Sequence, residues 1–272
     1  MKSKNKSFIS YQKNNIDILV KANTPPEWIK YFIDKFGKEK EIKIGETIYY
    51  LRNQLVKVYD PILEMDIVIK SFKLDKLYDK LRFRFIPSKA ERSLKIAREL
   101  EKIKLKTPAP IAVIEKRGKT NELIFSYYIT EYLDYDFNML EIAKDFNHPE
   151  RDKIENLMPQ LGKEVRKMHE AGIVHNDLHA GNILVKNYET KPELYYIDLN
   201  RGRIKEKLTK KDKINDLKRL KFTEQEKDIF FKSYSLNKWE YYKKEVSAAR
   251  KKRRQFVRMK KKLRSFFGIK RN

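Results

Sequence analysis

A chain of 272 residues with 40% hydrophobic and 12% aromatic content can bury one large core or two lobes, which excludes a peptide, a linker or a disordered tail. It contains no cysteine, so disulfide frameworks, thiolate zinc sites, iron–sulfur ligation and cysteine nucleophiles are excluded as well. The balance of 63 Lys and Arg against 38 Asp and Glu, formally +25, selects anionic partners: nucleic acid, an anionic bilayer or phosphorylated substrates.

That charge is unevenly spread. Fourteen Lys and Arg stand against the single acid Glu245 between Lys243 and Asn272, so +13 of the +25 lies in the last thirty residues. The first twenty residues carry no apolar run of signal-peptide length, and no stretch approaches the roughly 20 apolar residues that span a bilayer. The expectation is a cytosolic chain, or one held at a membrane surface.

With only 8 Gly and 9 Pro, the elements are expected to be long and the loops few. Residues 1–40 read as a polar start followed by a short helix over Pro26 to Phe36, with Thr24 as candidate cap and Pro25-Pro26 at its entrance. After Gly45 the texture turns β-branched and aromatic: Thr47 to Tyr59, a break at Asp60-Pro61, then Met65 to Phe72, read as adjacent antiparallel strands. Ser88 and Glu91 have capping-box spacing, and Ala90, Leu94, Ala97, Leu100 and Ile103 follow at helical period, which predicts an amphipathic helix over 88–104 ended by Pro108 and Pro110.

Two strands, Ile111 to Glu115 and Leu123 to Thr130, are expected next around a charged Gly118 loop. Pro149 to Ala171 predicts a second strong helix, with Ile154, Leu157, Leu161, Val165 and Met168 on one face and Gly172 just past its end. The order strands, helix, strands, helix points to an α+β lobe followed by a helical one.

The chemistry concentrates in Gly172 to Val185 (GIVHNDLHAGNILV) and Leu194 to Arg201 (LYYIDLNR). Asp177, Asn182 and Asp198 are oxygen-bearing side chains beside short apolar strands. Such groups suit a magnesium–phosphate site, with hard ligands for the cation and a carboxylate to orient or deprotonate an attacking hydroxyl.

His175-x-Asp177-Leu178-x-x-x-Asn182 resembles the protein-kinase-like catalytic loop, Ile197-Asp198-Leu199 stands where those enzymes carry D-F-G, and Ile67-Val68-Ile69-Lys70 resembles their phosphate-binding lysine strand. Asn176 replaces the arginine of H-R-D, Asn200 the glycine of D-F-G, no A-P-E segment follows, and there is no glycine-rich loop before Lys70. The stretches SKAERSLKIARELEKIKLKTPAPIAVIEKRG, SYYITEYLDYDF and YYIDLNRGRI are most similar to the lipopolysaccharide core kinases of the Kdo-kinase and heptose-kinase type, over about residues 45–220.

The resemblance implies a two-lobed α+β kinase-like fold, with a small antiparallel N-lobe carrying one helix over 41–133 and a mainly helical C-lobe over 134–240; outside it, the residues themselves read as a polar segment and short helix over 1–40 and a basic amphipathic C-terminal helix over 241–272. It implies an ATP- and magnesium-dependent phosphotransferase acting on a sugar hydroxyl of the lipopolysaccharide inner core at the inner face of the cytoplasmic membrane. By position, Asp177 is the base or hydroxyl-orienting group, His179 is auxiliary, and Asn182 and Asp198 are magnesium ligands. Lys70 neutralises nucleotide phosphates, with Glu91 as its candidate acidic partner and Glu99 later in the helix. Backbone around Arg52-Asn53 covers the phosphates, and Glu131 to Leu133 form the hinge that bonds adenine. His175 reads as a brace of the loop, and Asp216 either as its anchor or as a surface charge.

Two other classes remain open on these residues: an atypical small-molecule or protein kinase, since HNDLHAGN also resembles aminoglycoside and choline phosphotransferases, and a non-catalytic kinase-fold protein that binds anions or nucleic acid through its basic tail. In that tail Phe256, Met259, Leu263 and Phe267 fall at i, i+3, i+7 and i+11 among ten Lys and Arg from Arg250 to Arg264. The stripe either packs on the helical lobe or lies on an anionic leaflet. The latter suits a lipid-anchored acceptor, with no specific nucleic acid as partner.

Overall fold

The computed structural model describes residues 7–13, 15–37, 41–51, 53–74 and 82–266. The chain divides into two compact units: Met1–Lys102, Lys106–Asp134 and Asp198–Arg201 make the first, and Ile103–Leu105, Tyr135–Ile197 and Gly202–Asn272 the second.

In the first unit, period-two burial along Asn53–Asp60 (β4) and the apolar Ile67 and Ile69 in Met65–Phe72 (β5) give strands with one face buried and the other partly covered. With Phe8–Lys13 (β1), Ile16–Lys21 (β2), Glu46–Tyr50 (β3), Pro110–Arg117 (β6) and Leu123–Glu131 (β7) they form an antiparallel sheet of order β1-β2-β6-β7-β5-β4-β3. Helix α1 (Pro26–Phe36) lays Trp28, Phe32 and Phe36 on one face, against Ile18, Ile67, Ile69 and Tyr127. Helix α2 (Lys89–Lys102) lays Ala90 and Leu94 near Phe72, Val113 and Tyr128 on the other.

Three local readings change. Residues 8–21, read as a polar start, are a hairpin at the sheet edge: Lys13 pairs with Ile16, and Asn15 takes the left-handed φ of 60° that a two-residue turn requires. The run Thr47 to Tyr59 is two antiparallel strands, β3 and β4, turned at Leu51. Thr24 does not cap α1; Pro25 is the N-cap residue and makes no side-chain cap bond. The break at Asp60-Pro61 has a specific cause, because one buried carboxylate oxygen of Asp60 accepts the Ile62 and Leu63 amides at 3.0 Å while the other accepts the Trp28 indole N–H at 2.6 Å.

The second unit is built on α4 (Arg151–Glu170) and α6 (Glu224–Tyr234). They approach closely at Gly162, where a Cβ would stand 2.6 Å from the Phe230 carbonyl. Arg151 donates to both oxygens of the buried Glu226 at 2.5 and 2.6 Å, a bidentate pair at the start of both helices. Short α3 (Met139–Ala143), strands β8 (Phe137–Asn138), β9 (Ile173–Val174), β10 (Ile183–Lys186), β11 (Glu193–Tyr196) and β12 (Arg203–Ile204), and α5 (Lys210–Leu217) frame the loops between.

The last helix, α7 (Trp239–Phe266), buries Tyr242 and Val246 in its first two turns. From Lys251 to Leu263 every described side chain is exposed, Phe256, Met259 and Leu263 by 57%, 53% and 51%. The stripe therefore does not pack on the helical unit; Phe267, its last member, lies outside the described residues.

Replacing Trp28 by Phe keeps the ring burial but leaves Asp60 one donor short. The expected loss is about 1.5–3 kcal/mol, the range for hydrogen bonds to charged groups, read as a lower urea midpoint at unchanged m-value.

Candidate active site

The loop carrying Asp177 is shaped in the second unit by one glycine and one buried carboxylate. Gly172 follows the end of α4 at φ 75°, where a Cβ would meet the Lys205 carbonyl at 2.0 Å, and the turn delivers the chain to β9 beside β12. Asp216, 1% exposed on α5, accepts the His175 amide at 2.8 Å and the Asn176 amide at 2.7 Å. It also faces His169 Nε2 at 3.1 Å, and His169 Nδ1 meets the Tyr234 hydroxyl at 2.7 Å. Asp216 is thus the anchor of the loop, not a surface charge.

Two consecutive amides converge on that carboxylate because Asn176 stands at φ 60°. Asparagine tolerates this region better than most side chains, which accounts for its presence where protein kinases carry arginine. His175 braces the loop from above: its Nδ1 accepts the Asp177 amide at 3.3 Å, so its Nε2 carries the proton donated to the Ile197 carbonyl at 3.0 Å.

Asp177 is buried and its carboxylate pairs with the Arg219 guanidinium, a residue the sequence reading passed over. Burial, and the nearby charge of Arg253, push the Arg219 group below its ordinary value. His179 Nε2 lies 3.9 Å from Asp177 Oδ1, while its Nδ1 accepts the Gly181 amide at 3.0 Å in the 3₁₀ turn Ala180–Asn182. Asn182 donates its amide hydrogen to the Asp177 carbonyl at 2.9 Å, which leaves its amide oxygen as a hard donor. Its backbone accepts the Ile197 amide at 3.0 Å.

The first unit holds the other constellation. Lys70, between Leu55 of β4 and Tyr128 of β7, has a largely buried side chain whose Nζ lies 2.5 Å from Asp198 Oδ1. Asp198 takes φ 59°, and the Asn200 amide donates to the same carboxylate oxygen. Where D-F-G enzymes have glycine, this chain therefore uses a side chain that bonds back to the aspartate. Arg92 of α2 donates to the Asn200 carbonyl at 3.1 Å, so α2 is tied to the 3₁₀ turn Leu199–Arg201 through backbone.

Glu91 is not the partner of Lys70. Its carboxylate accepts the Ser88 amide at 2.7 Å while Ser88 Oγ accepts the Glu91 amide at 3.0 Å, so the capping box consumes it. Burial, with the Glu91 charge second, pushes the Glu115 carboxyl up. Glu99 pairs with Lys102 at 2.6 Å. In the segment expected to be the hinge, Glu131 donates its amide to the Ala109 carbonyl and Tyr132 to that of Asp66, both at 2.9 Å. Leu133 comes after the last ladder pair of β7. Arg52 lies outside the described residues; Asn53 opens β4.

Among the described residues no group of three or more His, Asp or Glu side chains is placed to hold a metal ion. An all-protein cage is thus not what these residues offer. Half-exposed Asp198 and the Asn182 amide oxygen are hard donors of the kind magnesium takes singly, alongside water and phosphate oxygens.

Residues 71–253 match the sequence model of the lipopolysaccharide kinase (Kdo/WaaP) family. Among curated proteins, the 3-deoxy-D-manno-octulosonic acid kinase of Haemophilus influenzae strain 86-028NP is 24% identical over 202 residues, 70% of this chain and 79% of that protein. Cyclin-dependent kinase 12 of Caenorhabditis elegans is 29% identical over 171 residues, 61% of this chain but only about a fifth (21%) of its relative's length. The solved structure of WaaP in complex with acyl carrier protein superposes with TM-score 0.60 at 17% identity, covering 84% of this chain and 96% of that one, and shares the kinase-like fold.

Asp216→Ala orphans the buried His175 amide, worth about 1–3 kcal/mol when left without a partner, and the part-buried Asn176 amide. A urea midpoint well below that of the parent chain is expected, with Asp216→Asn, which keeps one acceptor oxygen, in between.

Proposed function

The chain belongs to the lipopolysaccharide kinase (Kdo/WaaP) family and is a phosphotransferase of the lipopolysaccharide core; on that premise we propose that it uses ATP and magnesium to phosphorylate a sugar hydroxyl of a lipid-anchored inner-core saccharide. The observation that carries this reading is Asp177, a buried carboxylate on a loop anchored by Asp216, with Asn182 bonded to its backbone five residues on.

In this reading Asp177 accepts a hydrogen bond from the acceptor hydroxyl and takes its proton as the oxygen bonds to the γ-phosphorus and the bond to the β–γ bridging oxygen breaks, with ADP as the leaving group. Arg219 pairs with the carboxylate and fixes its orientation, and His179 flanks it as an auxiliary group. Asn182 and Asp198 would each offer magnesium a hard oxygen, and the cation would neutralise phosphate charge. Lys70, kept on Asp198 by the ion pair, serves the nucleotide phosphates from the same position. Adenine is bonded by backbone between Glu131 and Leu133. Glu91 has no part in this scheme.

The basic helix gives the reaction its address. No helix among the described residues is long and apolar enough to cross a membrane, yet α7 past Arg250 exposes an apolar stripe within a dense array of Lys and Arg. Each such cation near an anionic leaflet contributes about 1 kcal/mol, and exposed Phe256, Met259 and Leu263 can enter the headgroup region. We infer docking at the inner face of the cytoplasmic membrane, where a lipid-anchored acceptor is reached. Nucleic acid would match the charge but leave the stripe unused.

Asp177→Ala is expected to lower kcat for transfer about 10²- to 10⁴-fold with nucleotide affinity nearly intact. Asp198→Ala and Lys70→Met should weaken magnesium–nucleotide binding itself, measured by calorimetry. Parental turnover in both aspartate variants would refute the assignment.

The full chain should sediment with phosphatidylglycerol vesicles at low salt and release at high salt. Truncation after Arg250, which removes only exposed residues of the described chain, should abolish sedimentation without lowering Tm. Tighter binding to duplex DNA than to vesicles at matched salt would point to the other partner class.

A further inference from the structure

Beside Asp177 the second unit gathers more positive charge than it balances. Lys218 and Arg219 are consecutive at the end of α5, and α7 is pinned there by Arg250, whose Nη1 donates to the Leu220 carbonyl at 2.7 Å. Arg253, three residues further along α7, falls on the same side of the helix as Arg250. Its charge reaches both neighbours: burial first, and Arg253 second, hold Lys218 and Arg219 below their ordinary values.

The anions nearby do not compensate. Among the described residues Asp177 is the one carboxylate paired with any of these three cations, through Arg219. Lys218 bonds the neutral amide of Asn215 at 2.7 Å. Glu224, whose charge reaches Arg250, is committed to Lys227 at 2.5 Å and Lys243 at 3.4 Å. Like charges held together beside a partly buried guanidinium repel one another unless an anion joins them. Arg253 is exposed, so its guanidinium faces water and incoming ligands alike.

We propose that Lys218, Arg219 and Arg253 form an anion subsite that seats a carboxylate or phosphate of the acceptor saccharide next to Asp177. The inference deepens the kinase reading and rests on Asp177 facing the acceptor. An anionic group clamped by guanidinium forks fixes the sugar in orientation as well as place, and so selects which hydroxyl meets the carboxylate. A neutral sugar would leave Lys218 and Arg253 without an anionic partner and bind more weakly. The extra charge is then a specificity device, separate from the stretch of α7 beyond it.

The test uses the full chain with three probes: a glycoside of 3-deoxy-D-manno-octulosonic acid, its methyl ester, and a neutral glycoside carrying a phosphomonoester. Binding is read by saturation-transfer NMR, and transfer from ATP is assayed separately. The parent chain should prefer the acid over its ester, and Lys218→Gln/Arg253→Gln should raise KM for the acid about tenfold or more and abolish that preference. Preference for the phosphomonoester, lost in the same variant, identifies phosphate as the group bound. Equal binding of acid and ester by the parent chain, or a preference that survives in the double variant, overturns the subsite even where transfer is intact. Variant-dependent binding without any transfer supports the subsite and counts against the kinase reading instead.

Discussion

The carboxylate of Asp216 holds together what the rest of the second unit exists to present. A buried charge is tolerated when hydrogen bonds surround it, and here two consecutive loop amides and His169 do so. The arrangement works in both directions. The loop amides lose water and need an acceptor, and the acceptor is rigid because α5 carries it. His169 and Tyr234 extend the network into α4 and α6, the helices whose packing defines the unit. Asp177 inherits its position from this frame, one residue after the turn at Asn176.

In the first unit the corresponding constraint is the pair Lys70–Asp198. Kinase-like enzymes couple the lysine strand to a helix through a glutamate, whereas this chain spends Glu91 on the cap of α2 and ties that helix to the Asp198 turn through Arg92 and the Asn200 backbone. Asn200 then does two jobs, since its backbone takes Arg92 and its amide steadies Asp198. The left-handed φ of Asp198 is one that aspartate accepts at lower cost than most residues. The departures from H-R-D and D-F-G are thus local solutions to backbone geometry, each satisfying hydrogen bonds that the usual residues would satisfy differently.

Charge is distributed with a similar economy. The same helix that closes the second unit with Tyr242 and Val246 carries the exposed Arg253 and then the exposed apolar stripe. One element thereby links a packed base, a cationic cluster beside Asp177 and an exposed amphipathic surface.

The motif pair around Asp177 and Asp198, the lysine strand, the two amphipathic helices and the kinase-like fold were legible in the sequence, because short-range spacing and period carry them. Asp216 was visible only as one of two readings, since a carboxylate on a short polar helix looks the same whether it faces water or buried amides. The β1–β2 hairpin escaped notice because its inner residues alternate among polar ones and its partner β6 lies some ninety residues away. Arg219 and Arg92 drew no reading, and Glu91 was read as a candidate partner for Lys70, because spacing along a helix says which residues share a face but not what stands opposite. By itself the sequence determined the chemical groups and their order, since reaction chemistry is written in residue type. Which carboxylate anchors the loop and which cation reaches Asp177 were decided only by tertiary structure, because those partnerships join residues forty or more positions apart.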